Sequence, residues 1–119
     1  MNLQKIYPAL LAADLAAAEG WYTKLFGRGP DHRPMATLLH WELFDQAGLM
    51  LSNSEEIACR GSVFLYVADV AAERRRLSGL GIMFGDDNQG DYSTLAQVRD
   101  PDGNLITLAS PPAKPFPPA

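Results

Sequence analysis

Apolar positions along this chain follow two rhythms in turn. Short runs of strand type, "KIYPALL" at 5–11 and "SVFLYV" at 62–67, each lead into a segment with apolar residues at helical spacing. In the first segment Leu15, Ala18, Tyr22, Leu25 and Phe26 share a face, and in the second Val70, Arg74 and Leu77 form a weaker stripe. Asp14 and Asp69 stand just ahead of these helices, where a carboxylate can accept from the free amides of the first turn. Gly27 closes the first helix, and Gly79 or Gly81 the second. In the first half the helix is followed by an irregular edge, "GPDHRPM", and by strands "ATLLHWELF" and "LMLSN" around a four-residue turn, "DQAG". In the second half a short strand "IMFGD" precedes "YSTLAQVR" and "NLITLAS", joined by "DPDG" with Pro101 and Gly103 at favourable turn positions.

The two halves repeat. Asp14 and Asp69 lie 55 positions apart, and that offset also matches Leu10 with Leu65, Ala13 with Ala68, and Ala16 and Ala17 with Ala71 and Ala72. It matches Leu25 with Leu80, and further on Asp45 with Asp100 and Gly48 with Gly103. The chain therefore reads as an α+β fold of two βαβββ modules in pseudo-twofold arrangement, about 3–53 and 62–109, forming one domain over 1–109. The linker is about 54–61. The tail from 110 to 119 holds five prolines and cannot continue a sheet ladder, so it is expected to be mobile or draped on the surface.

Composition narrows the function classes. Net charge is −4 and no basic stripe is sustained, which argues against nucleic acid and anionic membrane as partners. Arg74, Arg75 and Arg76 fall on a helix and read as a solvated face. Cys59 is the sole cysteine, so an intrachain disulfide and a Cys-rich zinc site are excluded, and no base stands beside it to make it a nucleophile. The N-terminus lacks a secretory layout, and no run reaches the roughly 18 apolar residues of a membrane span. A soluble cytoplasmic protein is expected.

The paired βαβββ grammar resembles the vicinal oxygen chelate superfamily, which includes glyoxalase I, extradiol dioxygenases and bleomycin resistance proteins. "WYTKLFG" at 21–27 resembles that family's "FYxxxLG" helix end, and "VRDPDGNLITL" at 98–108 its "DPDGNxxEL" signature. The resemblance spans about residues 4–109. It implies that each module curls into half of a cleft, and that single-domain members act as homodimers. It also implies four metal-ligand positions, one on the first and one on the last strand of each module. Those positions fall on Tyr7, Ser62, Ser52 and Thr107, where His, His, Glu and Glu would be needed. Neutral hydroxyls are poor donors for a divalent metal, so no metal cofactor is expected.

The turn register places Trp41 opposite Ser52 and Leu43 opposite Met50. The expected ligand-binding face then holds Tyr7, Trp41, Met50, Ser52, Ser62, Phe64, Tyr66 and Thr107. A single bulge would instead turn Trp41 away and bring His40 and Glu42 in. Those two residues, at i and i+2 on one strand face, are the remaining metal pair, while Asp86 and Asp87 have the chemistry for a hard cation but read as a solvated loop. Arg99 could reach a ligand carboxylate. The expected function is metal-independent binding or sequestration of a small aromatic or cationic compound. The alternative is a lyase or isomerase that uses unusual metal donors or Tyr7 as general acid. A third possibility is an interaction module whose cleft is filled by its own side chains.

Overall fold

The computed structural model describes residues 1–54 and 60–118, so Cys59 and most of the linker lie outside the described residues. Contacts divide the chain into two units. The first is Met1–Gly61 together with Asp100–Asn104, and the second is Ser62–Arg99 together with Leu105–Ala119.

The first unit contains β1 (Ala9–Ala12), α1 (Leu15–Phe26), β2 (His32–Met35), β3 (Leu38–Phe44) and β4 (Ala47–Asn53), with strand order β1-β4-β3-β2. β1 runs parallel to β4, and the other neighbours are antiparallel. Pro8 lacks an amide proton and shortens β1, although Ile6 still bridges to Ala47. Pro34 sits in β2, which is exposed along its length and pairs only with β3, as its irregular sequence led us to expect. Asp14 caps α1 by accepting from the Ala17 amide at 3.1 Å, and Gly27 closes it at φ 73°. Leu15, Ala18, Tyr22 and Leu25 on the helix are buried with Leu10, Leu39, Trp41, Leu49 and Leu51 on the sheet. Each buried leucine contributes about 1.5–3 kcal/mol.

The second unit repeats the plan with β5 (Ser62–Tyr66), α2 (Val70–Ser78), β6 (Asn88–Gln89), β7 (Thr94–Arg99) and β8 (Leu105–Ala109), in the order β5-β8-β7-β6. The architecture is thus α+β, with two open mixed sheets of four strands, each carrying one helix. Asp69 caps α2 through the Ala72 amide at 3.0 Å. The left-handed residue after α2 is Gly81, at φ 86°, while Gly79 stays right-handed. Val70, Leu77, Ile82, Ala96, Ile106 and Leu108 are buried. The "IMFGD" segment is not a strand; Ile82 is buried in the core, and the short edge strand forms later, at Asn88–Gln89. Among the described residues, no helix is long and apolar enough to cross a membrane.

The repeat is real, but its offset changes along the chain. Leu10 pairs with Leu51 and Leu65 with Leu108, so first strands match at 55 and last strands at 57. Leu39 opposite Leu51 and Ala96 opposite Leu108 give 57 again. Asp45 and Asp100, or Gly48 and Gly103, are therefore not structural equivalents. Gly103 takes φ 86° in a turn. Gly48 lies within β4, where a Cβ would collide with the Trp41 carbonyl oxygen.

Asp100 is buried, and its carboxylate receives four hydrogen bonds. Oδ2 accepts from the Tyr22 hydroxyl at 2.7 Å and from Asn104 Nδ2 at 2.8 Å. Oδ1 accepts from the amides of Asp102 at 2.9 Å and Asn104 at 2.8 Å. The same turn sends Asp102 Oδ1 to the Ala13 amide at 2.9 Å and Asn104 Oδ1 to the Gly61 amide at 2.6 Å.

Three substitutions probe this packing. Burial, and then the Asp100 carboxylate, push the Tyr22 phenol well above its ordinary value of 10.0. The folded state thus holds this proton more tightly than the unfolded chain does. Its stabilisation is complete below pH 10 and declines as pH rises beyond it. Tyr22→Phe should cost about 1.5–3 kcal/mol in urea denaturation at pH 7 and flatten the alkaline slope of stability. Gly48→Ala should cost about 1–3 kcal/mol by overpacking. Gly20→Ala, in an exposed position of α1 with nothing within 4 Å of the added carbon, should instead stabilise by about 0.5–1 kcal/mol in the same assay.

Candidate functional site

Each sheet has one face under its helix and one open face, and strand register decides which residues occupy the open one. The β3–β4 hairpin turns through only two residues, Asp45 and Gln46, with Phe44 opposite Ala47. A bulge separates that pair from Trp41 opposite Leu49. Leu38 therefore faces Ser52, and His40 faces Met50.

This register corrects the placement of Trp41. Its side chain is fully buried against α1, 6.2 Å from the Tyr22 ring and 5.9 Å from Phe26, and its indole N–H donates to the Arg28 carbonyl at 2.9 Å. Trp41 is core, and His40 and Glu42 occupy the open face in its stead. The four-residue turn expected at "DQAG" is likewise replaced by the two-residue turn with its bulge.

The open face of the first sheet carries a compact polar cluster. The Tyr7 hydroxyl donates to Glu42 Oε2 at 2.5 Å, and the Tyr7 ring stacks on His40 with centroids 5.7 Å apart. His32 Nε2 lies 3.9 Å from Glu42 Oε1, and His40 Nε2 is buried with no hydrogen-bond partner among the described residues. Met50 and Ser52 lie on the same face, through their pairing with His40 and Leu38. Beneath the cluster Asp31 ties the chain to β3. Its carboxylate accepts from Arg28 at 2.5 Å and from the Glu42 amide at 2.7 Å. The Arg28 guanidinium, then that amide, hold the Asp31 carboxyl below its ordinary range. The hydrogen bond to Glu42, then desolvation and the Glu42 charge, push the Tyr7 phenol up.

In the second unit Phe64 pairs with Thr107, and Thr107 with Gln97, so these residues share the open face with Ser62 and Tyr66. Ser62, Phe64 and Tyr66 are exposed, with the Phe64 and Tyr66 rings 5.2 Å apart. Thr107 is buried, and its hydroxyl accepts from Gln97 Nε2 at 3.1 Å. Arg99 lies two residues beyond Gln97, on the same face. Two further rings, which sequence reasoning missed, stand beside Phe64 and Tyr66: Tyr92 in the β6–β7 loop and Phe116 in the tail. The available signal was that the Pro-rich tail carries one aromatic ring and one lysine.

The changed offset also corrects one ligand position, because the structural mate of Thr107 is Met50 rather than Ser52. The four positions thus hold Tyr7, Met50, Ser62 and Thr107. Three neutral hydroxyls and a thioether do not fit a hard or borderline divalent metal. Among the described residues, no three His, Cys, Asp or Glu side chains are grouped as a metal site. Asp87 pairs with Arg74 at 2.8 Å, and Arg76 with Glu73 at 2.9 Å, so Asp87 and this basic run serve surface ion pairing.

Tandem βαβββ modules, each with one helix-covered and one open sheet face, define the class of protein to which this chain belongs. Comparison with solved structures narrows it further. A glyoxalase/bleomycin resistance protein from Catenulispora acidiphila is 25% identical with TM-score 0.81, over 91% of this chain and 98% of that one. A bleomycin-binding protein complexed with bleomycin is 23% identical with TM-score 0.73, over 89% and 97%. Lactoylglutathione lyase from Agrobacterium tumefaciens is 24% identical with TM-score 0.73, over 88% and 91%. No family model and no curated protein sequence matches. The chain has the fold of the vicinal oxygen chelate superfamily.

The Tyr7–Glu42 contact yields a spectroscopic prediction. Glu42→Gln removes the charge and the strong acceptor that hold the Tyr7 proton, so Tyr7 should ionise at lower pH than in the parent chain. Absorbance titration at alkaline pH, with Tyr7→Phe identifying the signal, measures the shift.

Proposed function

We propose that this protein binds a small aromatic or cationic molecule on its open sheet faces without using a metal, and that it works as a homodimer. Tyr7, Met50, Ser52, Ser62, Phe64, Tyr66 and Thr107 supply the contacts, with His40 and Glu42 in the place first assigned to Trp41. The observation that carries this reading is the residue set at the four superfamily ligand positions, which offers one ring, two aliphatic hydroxyls and a thioether in place of imidazole and carboxylate donors. The likeness to a bleomycin-binding protein supports it. Exposed Ile6, Met35 and Phe44 supply apolar surface for self-association.

A lyase or isomerase reading draws on His40, whose buried Nε2 lacks a partner close to Glu42, and on the likeness to lactoylglutathione lyase. It meets an obstacle at Tyr7. A tyrosine acting near neutrality needs a lowered pKa, and the Tyr7 phenol is pushed upward.

Calorimetric titration of chelator-treated protein separates the two readings. The binding reading expects no stoichiometric uptake of Ni²⁺, Co²⁺, Mn²⁺, Fe²⁺ or Zn²⁺ at micromolar affinity, and saturable uptake from a panel of planar and cationic organic compounds. Tight metal uptake abolished by His40→Ala and Glu42→Gln would overturn it in favour of the enzyme. Sedimentation should give twice the monomer mass.

A further inference from the structure

In the second unit the aromatic side chains line a hollow of about 160 Å³ that opens to solvent. Its walls include Phe64 and Tyr66 from β5, Leu95 from β7, Asp91 and Tyr92 from the preceding loop, and Phe116 from the tail. Ser110 joins the tail to Thr94, and beyond it residues 113–116 make contacts with Tyr92. The Ala113 amide donates to the Tyr92 carbonyl at 2.8 Å. The Phe116 ring lies 4.8 Å from the Tyr92 ring, and the Lys114 ammonium sits 5.2 Å from the centroid of that same ring. Tyr92 is thus already a cation platform within the chain.

Four aromatic rings with one carboxylate at their margin form a chemically specific environment. Ring faces carry negative partial charge and attract a cation whose hydration is weak, and Asp91 adds a full negative charge. A strongly hydrated inorganic ion gains little here, because rings do not replace its water. A hollow of this size accepts one benzene-sized group. We propose that this hollow is an aromatic cage for a small organic cation, a quaternary ammonium group or an ammonium on a single ring, and that residues 113–116 of the tail form its removable outer wall. The proposal rests on the small-molecule-binding reading above and adds to it a ligand class, two residues and a function for the tail.

The test uses the full-length protein, phenyltrimethylammonium as probe, and tert-butylbenzene as the neutral compound of the same shape. Binding is followed by side-chain NMR shifts and calorimetry. The cage predicts shifts at Phe64, Tyr66, Tyr92 and Phe116, and binding of the neutral compound weaker by about tenfold. Phe116→Ala, and separately deletion of residues 113–119, should each weaken probe binding by about fivefold or more. Thermal melting should stay unchanged, because Phe116 is exposed and β8 ends at Ala109. Asp91→Asn should weaken the cation and leave the neutral compound unaffected. Equal binding of the two compounds would overturn the cationic selectivity. Binding that shifts only Tyr7 and His40, with Phe116→Ala silent, would overturn the cage while leaving the broader reading intact. Tail variants that bind more tightly would overturn the wall, by showing the tail to be a competitor. Absence of any probe binding, alongside saturable uptake of another organic compound from the panel, would overturn the cage alone.

Discussion

The first unit depends on a buried carboxylate that cannot be left unsatisfied. Asp100 gives up its water, and a charge in that position must be met by donors from the protein. Four donors meet it: the Tyr22 hydroxyl, the Asn104 amide side chain and two backbone amides of its own turn. Accepting from those amides fixes the turn conformation, and the turn needs Gly103 in the left-handed region. The fixed turn in turn aims Asn104 at the Gly61 amide and Asp102 at the Ala13 amide. One acid thus anchors the Tyr22 side chain of α1 and, through its turn, the amide before the N-cap and the end of the linker.

The open face of the first sheet depends on a different constraint, the parity of a hairpin. A tight turn preceded by one extra residue in β3 gives the helix side a tryptophan and the open side a histidine and a glutamate. Had the turn absorbed two more residues without a bulge, an indole would face outward and the Tyr7 hydroxyl would have no carboxylate to meet. The second sheet has no such cluster. Its open face is built from rings and hydroxyls, with Thr107 already engaged by Gln97. The two modules therefore share a topology and differ in the chemistry that each offers a ligand.

Much of this plan could be read from the sequence. Asp14 and Asp69 marked both helix starts, and Gly27 marked the end of the first helix, because caps have few chemical solutions. Alternation correctly put Ser62, Phe64, Tyr66 and Thr107 on one face. Hairpin register was not legible. "DQAG" has the composition of a four-residue turn, yet Gly48 serves inside β4, where the Trp41 backbone leaves no room for a side chain. The match of Asp45 and Gly48 to Asp100 and Gly103 is one of letters, since the hairpins superpose two positions further along. Tyr92 and Phe116 stayed hidden because their segments lack periodicity, and only the folded chain brings a loop and a Pro-rich tail together.

The five residues Asp100–Asn104 lie far along the chain, but their contacts belong to the first unit. That interlacing makes the first module's integrity depend on a segment that the second module carries on both flanks. Any change that unfolds the Asp100–Asn104 turn removes at once the acceptor of the Tyr22 hydroxyl and the partners of the Ala13 and Gly61 amides. Two modules that read as separate along the chain therefore share part of their stability at these five residues.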